Sequence, residues 1–268
     1  MALGTFFKWA GGGAVALLAA LCLLLQGAYW YGASMLPEQL PQPRREYPAL
    51  AREILWRSLG GGDSAISARR LNAFSYTGLV LGSLATFLAS PHAEQYEPAD
   101  LRLVSLTTDA NRWAIVEANR ARIAASVAAP DPAPAPTSGG VDASTLQQMT
   151  PRNEFESTAL FIRSSREWPA ERMADLVLDS GDYGRDSDTL EQAALAYFAQ
   201  PVERLTREEL TVLVLLDRGL GDRDPHCHAQ AFREAYADAL QTIGDPKLPA
   251  LSAQTLARLQ PIDCPPDA

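Results

Sequence analysis

The sequence predicts a mainly α-helical protein with an N-terminal transmembrane helix. One helix face is marked by four residues at i, i+3, i+4 and i+7, namely Leu190, Ala193, Ala194 and Tyr197. Thr206 stands three positions before Glu209, the spacing of a capping box, and begins a helix that continues through apolar residues to Leu216. No run of alternating polar and apolar residues favours strands, so a helical core is expected.

The N-terminal apolar segment is the predicted membrane anchor, residues 1–36. No charged side chain occurs from Trp9 to Pro37, and a helix needs about 20 apolar residues to span a bilayer. Lys8 precedes the segment and Tyr29-Trp30-Tyr31 lies near its end, which is typical of an aromatic belt with the N-terminus inside. The alternative is a cleaved signal peptide, which the length of the segment and the bulky aromatic residues disfavour.

A second uncharged stretch runs from Leu71 to Ala93 and is shorter and more polar than the first. Its serine, threonine and tyrosine residues favour a buried or membrane-surface helix over a second span. The two interpretations differ in their consequence, because a second span would return the C-terminal part to the cytoplasm.

Residues 37–97 are interpreted as a Pro-rich connector followed by membrane-proximal helices. One continuous helix is excluded at the beginning of this segment by four prolines, Pro37, Pro41, Pro43 and Pro48. Residues 49–59 then have apolar side chains at helical spacing, and Gly60-Gly61-Gly62 ends that helix. Further along, residues 124–141 are rich in alanine and proline and are expected to form a mobile loop.

Charge and cysteine usage limit the classes of partner. A net charge of -9 in 268 residues opposes binding to a phosphate backbone, so nucleic acid is not an expected partner. In an oxidising compartment, Cys227 and Cys264 either form a disulfide that closes the C-terminal tail or remain two thiols. His226-Cys227-His228 lacks a further ligand pair, and no metal is expected there.

Three motifs follow one another between residues 139 and 185. Gly139-Gly140 precedes Ser144-Thr145-Leu146-Gln147-Gln148, and Arg152-Asn153-Glu154-Phe155-Glu156 comes soon after. A longer register then starts at Tyr183-Gly184-Arg185 and continues through Glu191, Ala193-Ala194, Tyr197-Phe198, Leu205-Thr206 and Glu209. In order and residue type, these motifs resemble the peptidoglycan glycosyltransferases of family 51, with their GGSTITQQ, Arg-Lys-x-x-Glu and FGRG patterns. The resemblance extends from Pro98 to Gly244.

The sequence departs from the family pattern at chemically important positions. The Glu-Asp pair near the start of the family domain corresponds to Thr108-Asp109, and the lysine of the third motif is Asn153. One residue is also missing before the glutamines of the second motif, which lies closer to the third than in the family.

The resemblance implies a lysozyme-like, mostly helical domain over residues 98–246, followed by a C-terminal tail, 247–268. It implies a single-pass inner-membrane protein with its C-terminal domain in the periplasm, no cofactor, and lipid II or a nascent glycan strand as ligand. Other cell-wall proteins are further expected partners. In the family, one glutamate is the general base on the acceptor sugar, and a second assists the departing pyrophosphate. Glu156 takes the second role, and the residues implied in substrate binding are Ser144, Thr145, Gln147, Gln148, Arg152 and Arg163.

The departures bear directly on activity. Thr108 cannot accept a proton near neutral pH, and a positioned base contributes about 10²- to 10⁴-fold in rate. Asp109 is the alternative base, although adjacent helical positions diverge by about 100°. Asn153 removes a cation from a site that must hold a diphosphate. These losses favour a non-catalytic relative that binds lipid-linked glycan or regulates cell-wall assembly. Two alternatives stay open: an active enzyme with displaced catalytic groups, and a structural envelope protein that binds no glycan.

Overall fold

A computed structural model describes residues 19–40, 42–89, 105–112, 115, 154–221 and 223–264. Within these ranges the protein is mainly α-helical and has no β-strand, as the sequence predicts. The helices are α1 (19–33), α2 (Ala49–Ser58), α3 (Ala73–Ala89), α4 (105–112), α5 (Glu154–Glu167), α6 (Ala170–Leu178), α7 (Leu190–Phe198), α8 (Arg207–Leu215), α9 (Ala229–Ile243) and α10 (Ala253–Ala257).

The chain forms two compact units, each built from separate stretches of sequence. The first comprises residues 1–40, 70–97 and 114–167, and the second comprises residues 41–69, 98–113 and 168–268. The segment 37–97, interpreted from its sequence as a connector, therefore contributes to both units.

Helix α8 is the centre of the second unit. Its capping box is present, because the Thr206 side chain accepts from the Glu209 N–H while the Glu209 carboxylate accepts from the Thr206 N–H. From Leu210 to Leu215 every side chain is buried, so the helix is covered on all sides. Helix α2 packs mainly against α8 and also contacts α6. Both predictions made from this sequence stretch, the capping box and the central position of the helix, are confirmed.

Helix α7 has the buried face predicted from its sequence spacing. Ala193, Ala194 and Tyr197 are fully buried, as is Leu190 at the first turn. The Thr189 side chain caps the helix by accepting from the Gln192 N–H at 3.1 Å. The predicted helix and its orientation toward the core are thus confirmed.

The C-terminal tail is tied to the second unit by a disulfide. Cys227 and Cys264, 37 positions apart, are bonded to each other, with their Cα atoms 5.5 Å apart. The sequence left open either a disulfide or two free thiols at these positions, and the structure has the disulfide. Cys22 in α1 is the free cysteine, and it is exposed.

The first unit brings α1, α3 and α5 together. Asn72 caps α3 by accepting from the backbone N–H groups of Phe74 and Ser75 at 3.0 and 2.9 Å. Immediately before the cap, the Leu71 N–H donates to the Ser165 hydroxyl of α5 at 3.0 Å. These contacts fix the start of α3 on α5.

Helix α1 approaches α5 closely at one glycine. A Cβ atom at Gly32 would overlap the carbonyl oxygen of Phe155, whereas a Cβ at Gly27 would meet nothing within 4 Å. The Tyr31 and Phe155 rings pack edge to face beside this contact, with centroids 5.8 Å apart. Among the described residues, which begin at 19, the structure has no helix of the length and apolarity needed to cross a membrane.

Candidate functional site

The residues implied in catalysis and substrate binding are divided between the two units. Thr108 and Asp109 lie on α4 in the second unit, and Glu156 and Arg163 lie on α5 in the first. The remaining predicted contacts lie outside the described residues: Ser144, Thr145, Gln147, Gln148 and Arg152, together with the altered position Asn153.

Glu156 occupies the apolar face of α5. It is only 3% exposed, and Ala159 and Leu160, three and four positions further along, are also buried. Its neighbours Glu154 and Phe155 are exposed. A buried carboxylate in the first turn is favoured by the partial positive charge at the helix N-terminus. Glu156 is therefore held in the interior of its unit and does not project into solvent.

Arg163 joins α5 to the chain that leaves α1. Its guanidinium donates to the carbonyl oxygens of Pro37 and Glu38 and forms an ion pair with Glu167 at 2.6 Å. Its side chain is 16% exposed. In this arrangement the cation that the resemblance implies for diphosphate binding is used to satisfy main-chain carbonyl groups.

Asp109 is paired with a cation from the turn that follows α8. Arg218 Nη1 lies 2.5 Å from Asp109 Oδ2, and both side chains are partly exposed. Arg218 belongs to a kinked five-residue turn, Leu216–Leu220, in which Arg218 and Gly219 leave helical geometry and Gly219 has a φ of +117°. The candidate base is thus engaged in an ion pair, and Thr108 beside it is exposed.

Asp217, in the same turn, is a carboxyl group with an unusual protonation equilibrium. Burial raises its pKa from 3.8 to about 6, and nearby Asp109 and Asp182 act in the same direction. The Asp182 N–H, which donates to Asp217 Oδ1 at 3.0 Å, and the Arg218 charge oppose this shift. Sequence reasoning missed Asp217. The sequence signal at this position is Asp-Arg-Gly after an apolar helix. That pattern predicts a turn, but it does not predict that the carboxyl group is buried.

The Tyr183-Gly184-Arg185 motif builds a structural turn. Gly184 and Arg185 both have positive φ, +73° and +51°. The Arg185 guanidinium lies 4.1 Å above the Tyr197 ring and pairs with Asp224 through two contacts of 2.6 and 3.1 Å. It also donates to the carbonyl oxygens of Ala196 and Gln260, at 2.9 and 3.0 Å. Arg185 therefore fixes the turn, α7 and the C-terminal tail together.

A second group of charges, not recognised from the sequence, attaches residues 42–63 to the rest of the second unit. Arg52 pairs with Asp175 through two hydrogen bonds of 2.7 Å. Arg57, with a side chain only 7% exposed, contacts three carboxylates, those of Glu53, Asp63 and Asp245, at 2.7 to 2.8 Å. Because Asp175 lies 123 positions from Arg52 and Asp245 lies 188 positions from Arg57, no local pattern reveals these two contacts.

The first unit contains a cavity of about 230 Å³ where its three helices meet. Its walls are mostly apolar, with Leu25 and Tyr29 from α1, Tyr76 from α3 and Ile162 from α5 among them. Within the described ranges, no three His, Cys, Asp or Glu side chains are grouped in a way that would hold a metal ion.

In comparisons with known proteins, no family model matches this chain and no curated protein matches it. The helical fold is therefore what the structure establishes, and the resemblance to family 51 depends on the quoted motifs.

Proposed function

We propose that this chain is a membrane-anchored, non-catalytic relative of the family 51 peptidoglycan glycosyltransferases. It would lie in the inner membrane with a lysozyme-like domain in the periplasm, where it binds lipid-linked glycan or regulates cell-wall assembly. The order of the sequence motifs supports the family, and the helical character of the described residues is compatible with it.

One observation carries the non-catalytic part of the proposal: two described charged groups that the resemblance assigns to the reaction already have structural partners. Asp109 is paired with Arg218, and Arg163 is bound to two main-chain carbonyl groups. A general base must come within hydrogen-bonding distance of the proton that it removes. An aspartate in a 2.5 Å ion pair must first lose that contact. Thr108, at the family base position, has no carboxylate to offer.

The position of Glu156 points in the same direction. Its side chain is 3% exposed, whereas a group that assists a departing pyrophosphate must touch it. The neighbouring Asn153 also supplies no charge to replace the family lysine. A protein with this combination retains the motif order of the family without its proton transfer.

The test uses the purified full-length chain with lipid II in detergent. We expect no glycan polymer above background. Polymer that disappears in Glu156→Gln would contradict the non-catalytic proposal. Binding of lipid II is measured separately with Arg152→Ala and with Arg166→Ala as a matched control, because Arg166 is exposed on α5. We expect weaker binding only in the first variant. If the wild type does not bind lipid II, the third interpretation, a structural envelope protein, replaces the proposal.

A second candidate function, an active glycosyltransferase with displaced catalytic groups, is favoured by Asp217. A carboxyl group with a pKa of about 6, adjacent to the Asp109 and Arg218 pair, has the protonation equilibrium expected of an acid–base residue. This alternative predicts polymerisation that is lost in Asp217→Asn and unchanged in Asp238→Asn, which alters an exposed aspartate on α9.

A further inference from the structure

Helix α3 has a segment that is apolar and exposed on every side. Its start is anchored on protein, since Leu71 just before the helix and Ala73 are 2% and 7% exposed and the Tyr76 ring packs on Phe161 of α5 at 5.6 Å. From residue 80 to residue 85, all six consecutive positions are exposed, including Val80, Leu81 and Leu84 at 46%, 58% and 50%. Six consecutive positions cover more than a full helical turn, so the exposure extends around the whole helix.

In helix α1 the order is reversed: the exposed residues come first along the chain, and the packed residues follow. Residues 19–24 are all exposed, with Leu23 and Leu24 at 72% and 70%. From residue 25 onward, α1 contributes to the cavity that it shares with α3 and α5. The two exposed segments, residues 19–24 and residues 80–85, therefore extend from helices that meet at one cavity.

Lipid explains this exposure better than a protein partner. A second protein covers one face of a helix, whereas a bilayer surrounds it, and a helix that is apolar on all sides is typical of a membrane environment. No charged side chain occurs from Trp9 to Pro37 or from Leu71 to Ala93. Trp30 and Tyr31 are 63% and 55% exposed at the end of α1, as expected of aromatic residues at headgroup level. Arg70, just before α3, is exposed and suits anionic headgroups.

The exposed positions of α3 mark the part of the helix that meets lipid. Residues 80–85 are exposed at every position. We infer that residues 80–85 of α3 insert into the membrane that holds α1 and contact its acyl chains. The inference rests on the membrane attachment in the proposed function.

The test places an environment-sensitive fluorophore on single thiols of the full-length chain in vesicles. Cys22 is the labelled site in the wild type. In a Cys22→Ser background, Leu84→Cys tests α3, and Ala237→Cys, exposed on α9, is the aqueous control. Labelling is non-reducing, so the Cys227–Cys264 bridge remains closed. With nitroxide lipids, the labels at Cys22 and Leu84→Cys should lose most of their fluorescence, and the label at Ala237→Cys should lose little.

The alternative outcomes are separable. Quenching at Leu84→Cys no greater than at Ala237→Cys overturns the inference, while quenching at Cys22 still supports the anchor. Absent quenching at Cys22 contradicts the membrane attachment itself. If the label at Leu84→Cys is protected from water to an extent that depends on protein concentration, and nitroxide lipid does not quench it, a second copy of the chain is the partner. That result overturns the inference.

Discussion

Replacement of Asp217 by asparagine should stabilise the protein at neutral pH and remove part of its pH dependence. In the folded protein, burial raises the Asp217 pKa from 3.8 to about 6. The shift is about 2 pKa units, and at about 1.4 kcal/mol per unit it amounts to at most about 3 kcal/mol. Because the folded-state pKa is the higher one, the stabilising contribution is complete below pH 3.8 and is lost as the pH rises through 6.

The variant isolates this effect. Asparagine retains an oxygen that can accept from the Asp182 N–H, so the 3.0 Å hydrogen bond is preserved while the charge is removed. The stability of Asp217→Asn relative to the wild type should increase between pH 4 and pH 6.5, by up to about 3 kcal/mol. Comparison with the wild type at each pH cancels the contribution of most other groups.

The assay is urea denaturation of the detergent-solubilised chain, followed by tryptophan fluorescence at several pH values between 4 and 7. Asp238→Asn, at an exposed position on α9, is the matched control and should give a pH-independent difference near zero. The reasoning is refuted if the stability difference between Asp217→Asn and the wild type does not vary with pH, or if the variant is less stable at pH 7.

Three further predictions follow from packing and covalent constraints. Gly32→Ala should disrupt the contact of α1 with α5 and lower the thermal midpoint, whereas Gly27→Ala on the same helix should not, because only the first Cβ meets a neighbour. Arg185→Ala should destabilise the second unit by about 3 to 5 kcal/mol, measured by urea denaturation, since it leaves the partly buried Asp224 carboxylate without its cation. Reduction of the Cys227–Cys264 bridge should cost about 2 to 5 kcal/mol, measured as a lower denaturation midpoint with reductant.

Each of these predictions has a clear contradictory result. Equal midpoints for the two glycine variants would show that α1 and α5 do not approach as described. A loss in Arg223→Ala, an exposed arginine, as large as that in Arg185→Ala would remove the special role of the buried ion pair. An unchanged denaturation midpoint after reduction, with thiol titration confirming that the bridge is open, would show that the C-terminal tail needs no covalent tie.

The elements that sequence analysis predicted correctly are governed by short-range physics. The capping box of Thr206 and Glu209 joins residues three positions apart, and the buried face of α7 follows from its helical period. The end of α2 near Gly60 is equally local, since Gly60 adopts a positive φ of +79°. For such features a window of a few residues contains all the necessary information.

The features that were missed depend on distant contacts. The pKa of Asp217 is raised by burial and by carboxylates on other segments, which cannot be read from Asp-Arg-Gly alone. The role of Arg163 likewise depends on carbonyl groups more than 120 positions earlier. The motif resemblance therefore predicted none of the partners that Asp109 and Arg163 have in the folded protein.

The charge group around Arg52 and Arg57 has a consequence for synthesis of the chain. Arg52 must meet Asp175, 123 positions later, and Arg57 must meet Asp245, 188 positions later. Contacts between such distant residues form slowly because a long loop must close first. A ribosome that has made α2 must therefore still produce most of the protein before that helix can be anchored. During this interval α2 has its apolar side uncovered, because the helices on which it packs, α6 and α8, have not yet been made.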